Sequence, residues 1–152
     1  MGGTSGTGKS SVASLLATKL GIATVLSTDS IRHIMRNFVE KEDFPVLFAS
    51  TYEAGKKLVG KEFESLTDKK KVTKGYLMQS ALVLEKLESL IDTFQTRKES
   101  LLIEGVHLTP DFMRKINKKY PSCLSFLIYI SNESKHKERF AVRSKYMTLE
   151  KR

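Results

Sequence analysis

Tryptophan is missing from the 152 residues, cysteine occurs once and proline three times. A lone Cys123 can close no internal disulfide, so packing must hold the fold. It sits in the apolar run Cys123-Leu124-Ser125-Phe126-Leu127-Ile128-Tyr129-Ile130, where a buried core thiol is expected rather than a nucleophile or ligand. His33, His107 and His136 are scattered without partners at ligand spacing, which leaves no metal cluster to read. No run approaches the ~18–20 apolar residues of a membrane span, and no basic-then-apolar leader precedes a cleavage site. A cytoplasmic protein with no membrane partner is therefore expected. Repeats, low-complexity tracts and linkers are also lacking, so residues 1–152 read as one domain.

Acidic residues are in deficit too. Twenty-six Lys and Arg against 17 Asp and Glu leave a formal net charge of +9. Such a balance favours anionic partners, phosphates as readily as nucleic acid. Lys69-Lys70-Lys71 lies in a polar segment and reads as a solvated loop. The tail is more concentrated: Lys135, Lys137, Arg139, Arg143, Lys145, Lys151 and Arg152 face only Glu138 and Glu150.

The richest stretch is the first ten residues, Met1-Gly2-Gly3-Thr4-Ser5-Gly6-Thr7-Gly8-Lys9-Ser10. Gly3, Gly8, Lys9 and Ser10 satisfy G-x-x-x-x-G-K-[ST], the Walker A phosphate loop. Glycines let the backbone curl so that successive N–H groups point at a polyphosphate. Lys9 reaches the β- and γ-phosphates as a mobile charge, and the Ser10 hydroxyl can ligate Mg²⁺. Gly3, Thr4, Ser5, Gly6, Thr7, Gly8, Lys9, Ser10 and Ser11 are thus the candidate nucleotide-binding residues. A helix from about Ser10 would add its positive end to the site. Val12, Leu15, Leu16, Lys19 and Leu20 supply that helix's spacing, and Gly21 closes it. Such a loop should follow a buried strand, and only Met1 precedes it, so a chain incomplete at its start is expected.

Residues 22–27 read as a short buried strand, followed by a helix capped by Thr28 or Asp29 with Ile31, Ile34, Met35 and Phe38 on its apolar face. Strand, turn and helix after a phosphate loop make a βαβ unit of a parallel sheet, whose ligands gather at the carboxyl ends of the strands. Asp29 stands at such an end. It is either a helix cap alone or the group that orients and deprotonates an acceptor hydroxyl. Arg32 and Arg36, at i and i+4, are solvated arginines or a clamp for an anionic acceptor.

Pro45 suits a helix first turn, residues 51–58 look helical, and a long helix is predicted over about 73–97. Its stripe of Tyr76, Leu77, Ser80, Leu84, Leu87, Leu90, Ile91 and Phe94 reads as core. Ser100-Leu101-Leu102-Ile103-Glu104-Gly105-Val106-His107 then looks like a buried strand ending in an acid, a Walker B-like arrangement with Glu in place of Asp. A carboxylate at the end of an apolar strand is costly without a partner, which favours a function for Glu104. His107 is a loop histidine that hydrogen-bonds backbone or meets substrate. Thr109-Pro110 starts a helix to about Tyr120, and residues 123–130 read as the last strand before a basic helix.

Taken together, Gly2–Ser10, Ser27-Thr28-Asp29-Ser30-Ile31-Arg32, Ser50-Thr51-Tyr52-Glu53-Ala54-Gly55 and Ile103-Glu104-Gly105-Val106-His107-Leu108 resemble the 2-phosphoglycerate kinase family of P-loop small-molecule kinases. The basic helix around His136, Arg139, Phe140 and Arg143 looks similar as well. The resemblance implies an α/β P-loop NTPase fold of the nucleotide-kinase kind, a three-layer sandwich on a parallel sheet that is incomplete at both ends here. Residues 38–98 would be a helical acceptor-binding insertion, and residues 133–152 a basic lid-like helix. It implies ATP-dependent, Mg²⁺-assisted phosphorylation of 2-phosphoglycerate to 2,3-bisphosphoglycerate. Lys9, Asp29, Glu104, Arg139 and Arg143 would be catalytic. Asp29, Arg32, Lys56 and His107 would bind the anionic phosphorylated substrate, and Ser10 and Asp29 the metal. A related eukaryotic branch, linked to phytic acid synthesis, carries a similar domain in longer proteins. Two other readings stay open: a catalytically silent nucleotide-binding regulatory module, and a nucleic-acid binder using Phe140 and Tyr146 of the basic tail. Nucleic acid is the least expected partner, and the sequence leaves the oligomeric state unassigned.

Overall fold

Two short strands and six helices organise the described residues. The structure is a computed structural model that describes the backbone of residues 1–149 and side chains through residue 142. Helix α1 (Lys9–Leu20) leads to strand β1 (Thr24–Ser27) and helix α2 (Thr28–Met35). Two 3₁₀ turns, Pro45–Phe48 and Ala54–Lys57, and the one-turn helix α3 (Lys61–Glu64) precede α4, a 30-residue helix from Asp68 to Arg97. Strand β2 (Leu101–Glu104), α5 (Pro110–Lys119) and α6 (Glu133–Leu149) follow.

The sheet is parallel. Thr24, Val25, Leu26 and Ser27 pair with Leu101, Leu102, Ile103 and Glu104, so Ser27 and Glu104 end side by side. The first two residues extend this array on the other edge of β2. The Met1 amine donates to Ile103 O at 2.7 Å and Gly105 N–H to Met1 O at 3.2 Å. Gly2 N–H donates to Phe126 O, and Ile128 N–H to Gly2 O, both at 2.8 Å. Gly2 therefore bridges residues 105 and 127 in parallel, and the phosphate loop springs from between β2 and the 126–128 segment.

Helices cover both faces of this sheet, because successive strand residues point opposite ways. Leu102 packs with Ala13 and Ala17 of α1, whereas its neighbour Ile103 packs against Leu84, Leu87 and Ile91 of α4 and Ile116 of α5. The layering is helix, sheet, helix. A third cluster, Val46, Ala49 and Ala54 with Leu82, seats the 3₁₀ turns on α4.

Several boundaries and faces differ from the sequence reading. α1 buries Lys9, Ala13 and Ala17 and leaves Val12, Leu15 and Leu20 exposed, since small side chains let the helix approach β2 closely. On α2, Ile34 is exposed while Thr28 and Arg32 are buried, and Phe38, expected on its apolar face, lies beyond the helix end and is exposed. Its N-cap is Ser27, whose hydroxyl accepts from Ser30 N–H, and not Thr28 or Asp29. Residues 51–58 form a turn and a 3₁₀ turn rather than a helix. α4 starts at Asp68, and buried Gln79 replaces exposed Leu77 in its core face. The segment 123–130 reads as a strand but bridges only at Leu127, to Gly2. Cys123 is half-buried, its thiol facing the Gln95 amide at 3.5 Å. Thr109 caps α5 from Phe112 N–H, with Pro110 in the first turn, as expected.

Candidate active site

The phosphate loop takes the conformation its glycines permit. Gly6 and Gly8 have φ of 78° and 85°, where a side chain costs roughly 1–2 kcal/mol. This curl turns the backbone into the start of α1, placing the helix N-terminus beneath the loop. Lys9 is buried, with Nζ donating to Thr4 O at 2.8 Å, and Thr7 Oγ1 donates to the same carbonyl at 2.9 Å. The lysine thus folds back over the loop mouth.

Glu104 closes the site from β2. It is buried, and Ser10 Oγ donates to its Oε1 at 3.0 Å. The loop serine and the strand-end acid are therefore adjacent, a hydroxyl and a carboxylate oxygen that suit a hard divalent cation. Among the described residues no group of three His, Cys, Asp or Glu could hold a metal ion. These two oxygens fit the kind of site in which phosphates and waters complete the coordination.

Asp29 stands two residues past the end of β1, near the Glu104 strand end, with its side chain 46% exposed. Arg32 Nη2 holds its Oδ1 at 3.1 Å. Arg32 itself is buried and its Nη1 donates to Ala49 O, so the guanidinium is engaged within the protein. Burial pulls Arg32 below its ordinary pKa, Asp29 opposing the shift. Arg36 donates to Leu47 O and Ala49 O. Lys56 is exposed and pairs with Glu53 at 3.4 Å. His107 is fully buried, 2.8 Å from Thr28 Oγ1 and 3.0 Å from Gln79 Oε1, and burial pushes its imidazole down to about 4. Ser11 is exposed on the first turn of α1.

α6 lies over the loop. His136 Nε2 donates to Ser5 O at 2.9 Å and sits 3.2 Å from Thr4 Oγ1. The backbone of Arg139 and Phe140 passes against Gly6, where an added Cβ would lie 3.5–3.7 Å from it. The Phe140 ring meets Tyr52 edge-on at 5.1 Å, and Tyr52 OH accepts from Ser5 N–H at 3.2 Å. Arg139 is exposed on this helix, and Arg143 lies outside the described side chains.

A cavity of about 430 Å³ opens beside Gly3 and Thr4, walled by Tyr52, Tyr76, Val106 and Tyr129, with no charged residue in its lining. The larger cavity, about 550 Å³, lies at the other end of the strands among Leu16, Leu87, Leu101 and Phe126. Its apolar walls carry none of the phosphate-loop chemistry.

The structure thus gathers Lys9, Ser10 and Glu104, sets Asp29 at the neighbouring strand end, and leaves Lys56 outside that group. Tyr52 and Gln79 were given no site role from sequence, and Thr28 only that of a candidate helix cap. A glutamine amid the apolar stripe of the long helix was the one available signal, since a buried amide there needs partners.

The chain matches archaeal proteins named 2-phosphoglycerate kinase along nearly its whole length. Over 145 residues, 95% of this chain, it is 36% identical to a 2-phosphoglycerate kinase of Methanococcus maripaludis and 34% identical to that of Methanopyrus kandleri. The chain is a relative of the 2-phosphoglycerate kinases. It spans only 43–46% of the length of these two relatives. An uncharacterized protein of Dictyostelium discoideum is 50% identical over 150 residues, of which the chain covers 18%. No family model and no solved structure matches the chain. The chain has a mixed α/β structure on a small parallel sheet, and no described helix is long and apolar enough to cross a membrane.

Proposed function

We propose that the chain forms the nucleotide-binding part of an ATP-dependent kinase with a P-loop NTPase fold. Its acceptor is a small anionic metabolite, 2-phosphoglycerate, and its product 2,3-bisphosphoglycerate. The observation that carries this reading is the 3.0 Å contact of Ser10 with Glu104 at the mouth of a glycine-curled loop, with Asp29 at the next strand end. The similarity to named 2-phosphoglycerate kinases supports the choice of acceptor.

The residues divide the work as phosphoryl transfer requires, by positioning and charge rather than covalent chemistry. Backbone N–H groups from Gly6 to Ser10 cradle the β- and γ-phosphates, and Lys9 turns from Thr4 O towards them. Asp29 accepts the proton of the acceptor hydroxyl as its oxygen bonds to the γ-phosphorus and ADP leaves. Arg32 keeps the Asp29 carboxylate in place. Arg139, and Arg143 beyond it on α6, meet the transferring charge. Ser10 and Glu104, with Asp29 at the neighbouring strand end, would hold Mg²⁺, which would supply positive charge to offset that of the phosphates.

ATP consumption by the chain with 2-phosphoglycerate, beside its Lys9→Ala variant, is the test. Removing a charged hydrogen bond worth about 1.5–3 kcal/mol weakens ATP binding roughly ten- to hundredfold. Equal turnover in both proteins would overturn the mechanism. One observation favours a second reading, a regulatory nucleotide-binding module: Ser5 N–H and C=O are already taken by Tyr52 and His136. ATP binding without turnover on any phosphorylated acceptor would select it.

A further inference from the structure

His107 is fully buried, yet it faces neither the phosphate loop's N–H groups nor the cavity beside them. Its polar contacts are Thr28, Gln79 and Thr51, the last of which also lines that cavity. Gln79, also fully buried, spends its Nε2 on two carbonyls, Val46 O at 2.5 Å and Ala49 O at 3.1 Å. Carbonyls only accept, so the amide orientation is fixed and Oε1 is the atom turned to the histidine. Oε1 in turn needs a donor, which makes His107 Nε2 the protonated nitrogen, with Thr51 Oγ1 a second, longer neighbour of that proton at 3.4 Å. Nδ1 then accepts from Thr28 Oγ1, 2.8 Å away. That hydroxyl fits only because residue 105 is glycine: a Cβ there would come within 1.8 Å of Thr28 Oγ1.

Both ends of this relay arrive at Asp29. One passes through Thr28, its neighbour in the chain. The other passes through Gln79 to Ala49 O, which also accepts from Arg32 Nη1, and Arg32 Nη2 holds Asp29 at 3.1 Å. We propose that His107, neutral and protonated at Nε2, is the positioning residue that holds the Asp29–Arg32 pair in register without touching substrate. This rests on Asp29 receiving the acceptor hydroxyl, but the geometry is testable apart from turnover.

Two substitutions split the relay. His107→Asn places an amide near Nδ1, keeping an acceptor for Thr28 but falling short of Gln79. His107→Gln places it near Nε2, keeping Gln79 and leaving Thr28 unpaired. Side-chain ¹⁵N NMR of the wild-type chain should show His107 protonated at Nε2 alone and slowly exchanging Arg32 guanidinium protons. In His107→Asn those Arg32 protons should exchange at least tenfold faster. ATP affinity should stay within about twofold in both variants, since the phosphate loop is untouched, while kcat falls about tenfold or more. Circular dichroism and denaturation midpoints confirm that each variant is folded. Nδ1 protonation in the wild type, or Arg32 exchange unchanged in both folded variants, would overturn the proposal whether or not the chain turns over. A wild-type chain with ordered Arg32 but no turnover would instead remove the kinase reading and keep the relay.

Discussion

Ser10 and Glu104 are 94 positions apart, and their contact is what turns a glycine loop into a site. Glu104→Gln keeps the size and an acceptor for Ser10 Oγ but removes the charge. Loss of one such metal-orienting group usually costs 10–100-fold in metal affinity. ATP turnover titrated with Mg²⁺ should therefore need at least about tenfold more metal for half-maximal rate. An unchanged Mg²⁺ profile would separate Glu104 from the metal. His107 makes a second prediction at this scale. Its folded-state pKa of about 4 lies below the ordinary 6.5, mainly through burial, with Asp29 raising and Arg32 lowering it. The unfolded chain therefore takes up the proton first on acidification. This contribution to stability is complete above about 6.5 and is lost as the pH falls towards 4. Half-exposed neighbours matter less, although His33, also lowered by burial and the adjacent arginines, acts in the same direction. Denaturation midpoints across that window should fall more steeply for the wild type than for His107→Gln.

At the scale of elements, α6 is tied to the phosphate loop by one imidazole and one aromatic pair. His136 donates to Ser5 O, and Phe140 rests on Tyr52. A hydrogen bond of this kind contributes about 1 kcal/mol net, so it holds a helix in place without locking it. His136→Ala should raise amide exchange across residues 133–142 about fivefold while the α4 core, around fully buried Leu87, stays protected. Equal exchange in both proteins would mean that Phe140 alone seats the helix. The elements were legible in the sequence wherever local chemistry decides them. Gly21 ends α1, Thr109-Pro110 starts α5, and apolar runs ending in Ser27 and Glu104 gave both strands. Faces were harder. α1 carries a row of large apolar residues, but close approach to β2 selected Ala13 and Ala17 instead. The 123–130 run has every local mark of a strand, yet it makes one bridge, to Gly2, because ladder pairing depends on a partner backbone that the run itself does not encode.

Across the whole molecule the excess of basic residues, +9 formally, gives a field that attracts anions of any kind. Oligonucleotide binding should accordingly be weak, sequence-independent and lost between 50 and about 200 mM salt, whereas ATP binding persists, because the loop's N–H groups and Lys9 act at contact range. Fluorescence anisotropy with labelled single strands, at several salt concentrations and with excess ATP, checks this. Binding that survives both salt and ATP would bring the nucleic-acid reading back. By itself the sequence determined the phosphate loop, the positions of the two strands and the candidate acids at their ends, because glycine spacing, capping residues and apolar runs are local properties. Tertiary structure alone decided what each polar group does. It paired Ser10 with Glu104, buried Arg32, which the sequence left as a solvated or anion-clamping arginine, and His107, which it left as a loop histidine, and joined Thr28 to Gln79 through one ring. Those assignments depend on which distant carbonyls and hydroxyls meet a side chain once water is excluded, and no spacing along the chain records that.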